Sequence, residues 1–183
     1  DVALYGAIYG SRFAVPSSDT FARGLGYERA PADELLAFHI AFGKTVPDIS
    51  LNAVANLGYA DGRFLKPVFP GDTITATSEV IGLKENSNRQ TGVVYVRTTG
   101  LNQSGETVLS YVRWVMVRKR DAAAVVEGQD VPSLPAAVAV ADLPIPEGVA
   151  FDRYDTVLAG APHLWDDFAP GEKIDHVDGV TVE

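Results

Sequence analysis

The chain is predicted to fold as an α+β domain in which an antiparallel sheet wraps around a long apolar helix. Three observations support this prediction. Residues 32–46 carry apolar side chains at helical spacing. Segments of alternating apolar and polar residues follow that helix, in the order expected of a meander. Pro70-Gly71 suits the two central positions of a type II turn, because proline fixes φ at about −65° and glycine accepts the positive φ that follows.

The first 31 residues predict short helices and turns. Residues 1–9 are expected to form a helix capped by Asp1. Residues 12–31 are rich in proline, glycine and serine, which predicts an irregular stretch in which Asp19 caps a further short helix through Arg23. This stretch is a candidate for a loop near a functional site.

The long helix is apolar nearly all round. Its two neighbouring apolar stripes are Leu35, Phe38, His39 and Phe42, and Leu36, Ile40 and Gly43. A helix of this kind is typical of a buried position, so we expect it to be central. His39 lies on the apolar face, and we interpret it as a hydrogen-bonded core histidine rather than a catalytic one.

Four extended segments follow the helix. They are predicted at residues 51–57, 73–83, 93–99 and 107–118, with the second expected to begin as early as Asp72. The loop that joins the last two, residues 100–106, has the Asn and Gly content of a hairpin loop. The basic cluster near the end of the last segment alternates with apolar residues and therefore indicates a strand with one solvated face.

The C-terminal third changes in composition. Residues 121–162 are rich in Ala, Val and closely spaced Pro, which predicts a linker that crosses a surface, partly in polyproline geometry. Residues 163–183 repeat a turn signal, because Pro170-Gly171-Glu172 resembles Pro70-Gly71-Asp72. We interpret this segment as the start of a second structural domain.

Composition excludes several classes of function. The net charge of −9 argues against nucleic-acid binding, which requires clustered Lys and Arg. Cysteine is absent, so disulfides and thiolate nucleophiles are excluded. The three histidines lie too far apart for a metal motif, and no apolar run is long enough to span a membrane. A cytoplasmic location is expected, with no membrane and no nucleic acid as partner.

Three segments carry a resemblance to a known family. Residues 62–73 read GRFLKPVFPGDT and, with the helices before them, resemble the MaoC-like hydratases of the hotdog fold. Residues 86–97 and 111–120 resemble one branch of that family, the mesaconyl-CoA hydratases or β-methylmalyl-CoA dehydratases. The resemblance implies a double-hotdog chain in which residues 1–120 form an N-terminal hotdog domain lacking its first strand. Residues 163–183 would then open the second domain.

The resemblance also implies a catalytic pattern, Asp-x-Asn-x-x-His, that handles the water added to an enoyl thioester. Histidine suits this role because its pKa lies near working pH. Placed without gaps after Gly10, the pattern falls on Arg12, Ala14 and Ser17, and none of these side chains can replace the acid–base pair. We therefore expect a non-catalytic, substrate-holding half, with catalytic residues outside this sequence.

Four residues are predicted to bind substrate. Arg89, with Lys84 and Asn88 nearby, is expected to pair with a CoA phosphate, because a guanidinium fork matches phosphate oxygens. A solvated turn is the alternative interpretation of this loop. Arg12 could instead bind the phosphate, or meet the second carboxylate of a dicarboxylic acyl group.

The leading hypothesis is a hydro-lyase that reversibly adds water to a branched enoyl-CoA, with mesaconyl-CoA as the favoured substrate. No metal or redox cofactor is implied, CoA enters as part of the substrate, and a homo-oligomer is expected because a single sheet leaves an uncovered edge and face. Two alternatives stay open. One is a hotdog acyl-CoA thioesterase that uses Asp33 or Glu34 at the start of the long helix. The other is a non-catalytic acyl-CoA binding or assembly module.

Overall fold

The computed structural model describes residues 1–9, 12–125, 127–160, 162–176, 179 and 181. The chain divides into two compact units. The first unit comprises Asp1–Asp33 and Gly148–Glu183, and the second comprises Glu34–Glu147. Of the predicted second domain, residues 177, 178, 180, 182 and 183 lie outside the described residues, and the start of that domain stays a prediction.

Short helices build the first unit. They are α1 (Val2–Tyr9), α2 (Ala14–Ser17), α3 (Asp19–Leu25) and the 3-10 helices Phe151–Arg153 and Trp165–Asp167. The sequence predicts α1 and α3 but not α2, whose Pro16 and Ser17 are typical turn residues. A proline is nevertheless tolerated in the first turn of a helix, where its missing N–H has no intrahelical partner.

The capping of α3 differs from the prediction. Ser18, not Asp19, caps the helix, because its Oγ accepts a hydrogen bond from the backbone N–H of Phe21 at 3.2 Å. The Asp19 carboxylate instead accepts from the backbone N–H of Ala30 at 2.8 Å and from Arg23 Nη2 at 3.2 Å. The prediction placed the cap one residue too late because both side chains are good caps.

The end of α3 is tied to the C-terminal segment of the same unit. The backbone oxygen of Leu25 accepts a hydrogen bond from the N–H of Ala150 at 2.8 Å. Gly26 follows with φ +109°, and a Cβ there would lie 2.2 Å from the backbone oxygen of Gly148. Only glycine fits this close backbone approach.

The second unit packs one long helix on a four-stranded antiparallel sheet, which confirms the α+β prediction. Its helix is α4 (Glu34–Thr45), continued by a π-helical turn, Val46–Ser50, and its strands are β1 (Ala53–Phe64), β2 (Thr75–Glu85), β3 (Thr91–Leu101) and β4 (Thr107–Arg118). The strand order is β1-β4-β3-β2. Strand β4 has its predicted bounds, whereas β1 runs seven residues past the predicted end at Leu57.

The turn before β2 explains why that strand begins at Thr75 rather than at Asp72. Gly71 adopts φ +104°, and the N–H of Asp72 donates to the backbone oxygen of Phe69 at 3.0 Å, as predicted for this turn. The Asp72 carboxylate also accepts from the N–H of Phe69 at 2.8 Å. Asp72 is therefore part of the turn.

The helix α4 is not buried all round, contrary to the prediction. Its buried residues are Ala37, Ala41 and Thr45, whereas Leu35 is 50% exposed. Small residues at i and i+4 let the helix lie close to the sheet, so one stripe is covered and the other is not. His39 is exposed, and its interpretation as a core histidine is wrong.

The core of the second unit lies between α4 and the sheet. It consists of Ala37, Ala41, Ile74, Val108, Leu109 and Tyr111. After β4 the chain returns to both edges of the sheet. Asp130 exchanges two backbone hydrogen bonds with Leu83 on β2, and the backbone oxygen of Asp142 accepts from Arg63 Nη1 on β1 at 3.0 Å. Residues 130–142 therefore run from one edge of the sheet to the other.

Candidate functional site

A cavity of about 440 Å³ lies in the first unit, in the size range of small-molecule sites. Arg12, Ala14 and Ser17, the positions on which the predicted catalytic pattern falls, all line this cavity. The corner between α2 and α3 brings them together, because Phe13 and Ser18 on either side of α2 are extended. These three positions supply a guanidinium, a methyl group and a hydroxyl, but no group suited to proton transfer at neutral pH.

A second arginine, Arg153, lines the same cavity. It ends the 3-10 helix Phe151–Arg153, which the Leu25–Ala150 hydrogen bond attaches to α3. The ring of Tyr154 packs edge-on against Phe21 of α3, with centroids 5.2 Å apart. Both arginines are exposed, and neither forms an ion pair with any residue that the structure describes.

The sequence prediction missed Arg153 because it lies within the predicted linker, far along the chain from Arg12. One local signal was present. Residues 151–155 read FDRYD, an aromatic and charged run that departs from the Ala, Val and Pro composition around it. That run also supplies the cavity's carboxylate, Asp155, whose Oδ1 accepts from the N–H of Leu158 at 2.8 Å.

The other predicted substrate-binding residues belong to the second unit, at the hairpin between β2 and β3. Lys84 and Arg89 are exposed there, and Arg89 has a positive φ of 55°. Asn88 shapes the turn, because its Oδ1 accepts from the backbone N–H groups of Gln90 at 3.0 Å and Thr91 at 3.2 Å. The hairpin therefore groups Lys84, Asn88 and Arg89, whereas Arg12 belongs to the first unit. Their role in binding stays a prediction.

The second unit contains an apolar cavity of about 280 Å³ between α4 and the sheet. Leu35, Phe38, Tyr59 and Tyr111 are among its lining residues. The Tyr111 hydroxyl is buried and has no hydrogen-bond partner of good geometry among the described residues. Burial raises the pKa of Tyr111, so its hydroxyl stays neutral. This cavity suits an apolar chain rather than a charged group.

Arg113 is fully buried and ties the end of α4 to the sheet. Its Nη2 donates to Thr45 Oγ1 at 2.8 Å, and its guanidinium lies 4.6 Å from the centroid of the Phe42 ring. Burial lowers the pKa of Arg113 from its ordinary value, but arginine ordinarily titrates so far above neutral pH that the side chain remains charged. Since the side chain is inaccessible to ligands, we interpret it as structural.

An ion cluster fixes the bulge in β1. Asp61 adopts φ 49° and accepts hydrogen bonds from Arg63 Nε and Arg97 Nη1, both at 2.9 Å. These two hydrogen bonds, with Arg63 contributing more, hold the pKa of Asp61 below its ordinary 3.8. The cluster therefore joins β1 to β3 with charges that are satisfied.

The carboxylates proposed for a thioesterase, Asp33 and Glu34, line neither cavity. Among the described residues, no group of three His, Asp or Glu side chains is arranged to hold a metal ion. Within the described ranges, no helix combines the length and apolar character that crossing a bilayer requires.

Comparison with known proteins gives consistent matches. A family model described as mesaconyl-CoA hydratase matches residues 15–159. The chain is 70% identical over 181 residues to the mesaconyl-CoA hydratase of Cereibacter sphaeroides, covering 99% of this chain and 53% of that protein. It is 61% identical over 183 residues to the β-methylmalyl-CoA dehydratase of Chloroflexus aurantiacus, covering 100% and 52%. The chain thus spans about half the length of these curated relatives.

Solved structures give the same fold. A MaoC domain dehydratase from Chloroflexus aurantiacus superposes with a TM-score of 0.86 at 61% identity, covering 100% of this chain and 52% of that one. A Mycobacterium tuberculosis protein with a double hotdog fold superposes with a TM-score of 0.60 at 24% identity, covering 94% and 51%, and supports the fold alone. The predicted hotdog fold is confirmed.

Proposed function

The chain belongs to the mesaconyl-CoA hydratase family, and we propose that it is part of a hydro-lyase that converts mesaconyl-CoA reversibly to β-methylmalyl-CoA. In this reaction the hydroxyl group of water joins the carbon β to the thioester, and a proton joins the α carbon. The 70% identity to the curated mesaconyl-CoA hydratase, over 99% of the chain, is the observation that carries the proposal.

We further propose that this chain holds the substrate and leaves proton transfer to residues elsewhere in the protein. The cavity at the predicted motif supports this assignment, because Arg12, Ala14 and Ser17 replace the acid–base pair that the resemblance implies. The relatives are about twice as long as this chain, so they have room for a second, catalytic half.

Two surfaces of the chain fit different parts of an acyl-CoA. The exposed cations Lys84 and Arg89 at the β2–β3 hairpin suit the CoA phosphates, since charged hydrogen bonds to phosphate are favourable and need no deep pocket. The apolar cavity beside Phe38 and Tyr111 suits an uncharged chain such as the pantetheine arm. CoA is then part of the substrate, and the hydration itself requires no redox cofactor.

The test is an assay of the complete protein that contains this chain. Purified protein is mixed with mesaconyl-CoA, and the enoyl-thioester absorbance and the release of free thiol are followed together. Loss of absorbance without thiol release is expected for a hydratase. Thiol release would identify a thioesterase instead, and binding without either change would identify an acyl-CoA binding module.

We also propose that the protein is a cytoplasmic homo-oligomer. The sheet of the second unit ends in β1 and β2, and β1 carries Val54, Leu57 and Tyr59, all between 45% and 48% exposed. An apolar edge of this kind is stabilised when a further strand or subunit covers it. Light scattering during size-exclusion chromatography is expected to give a mass above that of one complete chain.

A further inference from the structure

The cavity of the first unit has a charge pattern that holding a CoA ester does not by itself explain. Arg12 and Arg153 approach it from separate parts of the chain, one before α2 and one at the end of a 3-10 helix. Neither is paired with a described carboxylate. Two unpaired guanidinium groups at one cavity favour binding of an oxyanion, because the planar fork matches two oxygens at once.

The remaining lining selects the kind of oxyanion. Ala14, Phe21 and Leu158 contribute apolar surface, and hydroxyl groups come from Ser17, Ser18 and Thr20. A small, partly polar hydrocarbon group that carries a charge suits such a lining. Asp155 contributes one negative charge, and two positive charges less one leave a net charge of +1 for the cavity. A net charge of +1 balances a single carboxylate better than the several charges of the CoA phosphates.

We infer that Arg12 and Arg153 together bind the free carboxylate of a dicarboxylic acyl-CoA, and so determine selectivity for mesaconyl-CoA over uncharged branched enoyl-CoAs. This inference rests on the proposed function and names the part of the substrate that this cavity receives. Asp155 is a positioning residue here. Its hydrogen bond to the N–H of Leu158 holds the turn that carries the apolar wall.

The test compares two substrates that differ only in the charged group. Mesaconyl-CoA carries the free carboxylate, and 2-methylcrotonyl-CoA has a methyl group in its place. In the complete protein, Arg12→Gln and Arg153→Gln are each expected to raise KM for mesaconyl-CoA about ten- to a hundredfold, the range for loss of a hydrogen bond to a charged group. The inhibition constant of 2-methylcrotonyl-CoA is expected to stay within about twofold, because it offers no carboxylate.

Matched variants distinguish the effect of removing a charge from an effect on folding. Arg12→Lys retains the charge without the fork and is expected to recover only part of the affinity. Arg120→Gln removes an exposed arginine of the second unit and should leave both constants unchanged. Circular dichroism of each variant is expected to match that of the wild type.

The outcomes also separate this inference from the proposed function. Equal weakening of both CoA esters, or no change for either, would overturn the carboxylate site even in an active hydratase. If the wild type does not hydrate mesaconyl-CoA, the proposed function fails. Calorimetric titration still measures the affinity of the protein for mesaconyl-CoA, and so tests the carboxylate site. In that case, an equal affinity of wild type and Arg12→Gln would overturn the inference as well.

Discussion

The two units of the chain differ in how they use charge. In the second unit, charged side chains pair with each other, across strands in the Asp61 cluster and between loops in the Lys66–Glu106 pair. In the first unit, the pairs Arg23–Asp19 and Arg29–Glu28 are exposed, and Arg12 and Arg153 line a cavity without an ion-pair partner among the described residues. The difference shows that the more shielded ion pairs join strands of the sheet, whereas the first unit combines exposed pairs with two cavity arginines that we propose for binding.

The two units also differ in how many apolar side chains they bury. The second unit buries Val96, Val108, Val112 and Val115 to 1% exposure or less along two central strands. The described part of the first unit buries few large side chains, chiefly Leu25, and its chain segments are joined by isolated backbone bonds. Segments with few buried apolar contacts open more easily, which is typical of regions that receive ligands.

The largest expected effect tests this difference in packing. Leu109 and Leu25 are each 2% exposed, so Leu→Ala removes the same buried atoms at both sites. We expect Leu109→Ala to cost about 2–5 kcal/mol of unfolding free energy, because the sheet and α4 cannot collapse into the space. Leu25→Ala is expected to cost about half as much, because the loosely joined first unit can relax. Urea unfolding followed by circular dichroism measures both.

Equal losses in one shared transition would contradict the distinction, and would mean that the units unfold as one. Hydrogen exchange provides the control. Leu25→Ala is expected to speed exchange around α3 while leaving the β3 and β4 amides protected.

The sequence predicted the second unit better than the first because its signals are local. The bounds of β4 and the Pro70-Gly71 turn depend on neighbouring residues, and both were correct. The solvated face predicted for β4 was wrong, because Val112 and Arg113, which point to opposite faces of the sheet, are both buried. The family resemblance in residues 62–73 was likewise confirmed by the match of the family model. The exposed stripe of α4 was not predictable, because two apolar stripes look alike until packing covers one of them.

Of the two arginines of the candidate site, the sequence predicted one. Arg12 was selected through its place in the degenerate pattern, and it does line a cavity. Arg153 was missed because the contacts that bring it there, such as Phe21 with Tyr154, join residues far apart in the chain. Periodicity and turn chemistry carry no information on contacts of this kind.

The second expected effect tests the paired charges. Asp61→Asn removes the charge but keeps a residue type that tolerates positive φ, so backbone strain is held constant. The lowered pKa of Asp61 means that its stabilisation is complete above about pH 3.8, the unfolded value, and is lost as pH falls through the lower folded value. We expect the variant to lose about 1–2 kcal/mol at pH 7, since the amide oxygen of Asn can accept from one guanidinium but the amide NH2 group cannot accept from the other.

Chemical unfolding at pH 7 and at stepwise lower pH measures this prediction. The stability of the variant is expected to fall less steeply than that of the wild type below pH 3.8. Glu106→Gln is the matched control, because its pairing with Lys66 is exposed and screened by solvent. If both variants lose the same stability, the Asp61 cluster contributes no more than a surface pair.

A smaller effect is expected at the turn before β2. Gly71 has φ +104° and no heavy atom within 4 Å of an added Cβ, so Gly71→Ala changes conformational energy alone. We expect a loss of about 1 kcal/mol, the cost of placing a Cβ in the left-handed region. Gly43→Ala in α4 also meets no neighbour but has no positive φ, and it is expected to gain about 0.5–1 kcal/mol. Thermal unfolding of the pair should show shifts of opposite sign.

The smallest expected effect concerns the β2–β3 hairpin. It tests whether the hairpin binds a different part of the substrate from the cavity that Arg12 and Arg153 line. Lys84→Gln with Arg89→Gln removes two exposed cations, and exposed ion pairs contribute about 0.2–1 kcal/mol each. We expect KM to rise only about two- to fivefold per cation, equally for mesaconyl-CoA and 2-methylcrotonyl-CoA, because both carry the same phosphates. The increase should disappear in high salt, which screens exposed charges. A preference for one ester would instead place the acyl group at the hairpin. The hairpin and the cavity of the first unit would then not bind different parts of the substrate.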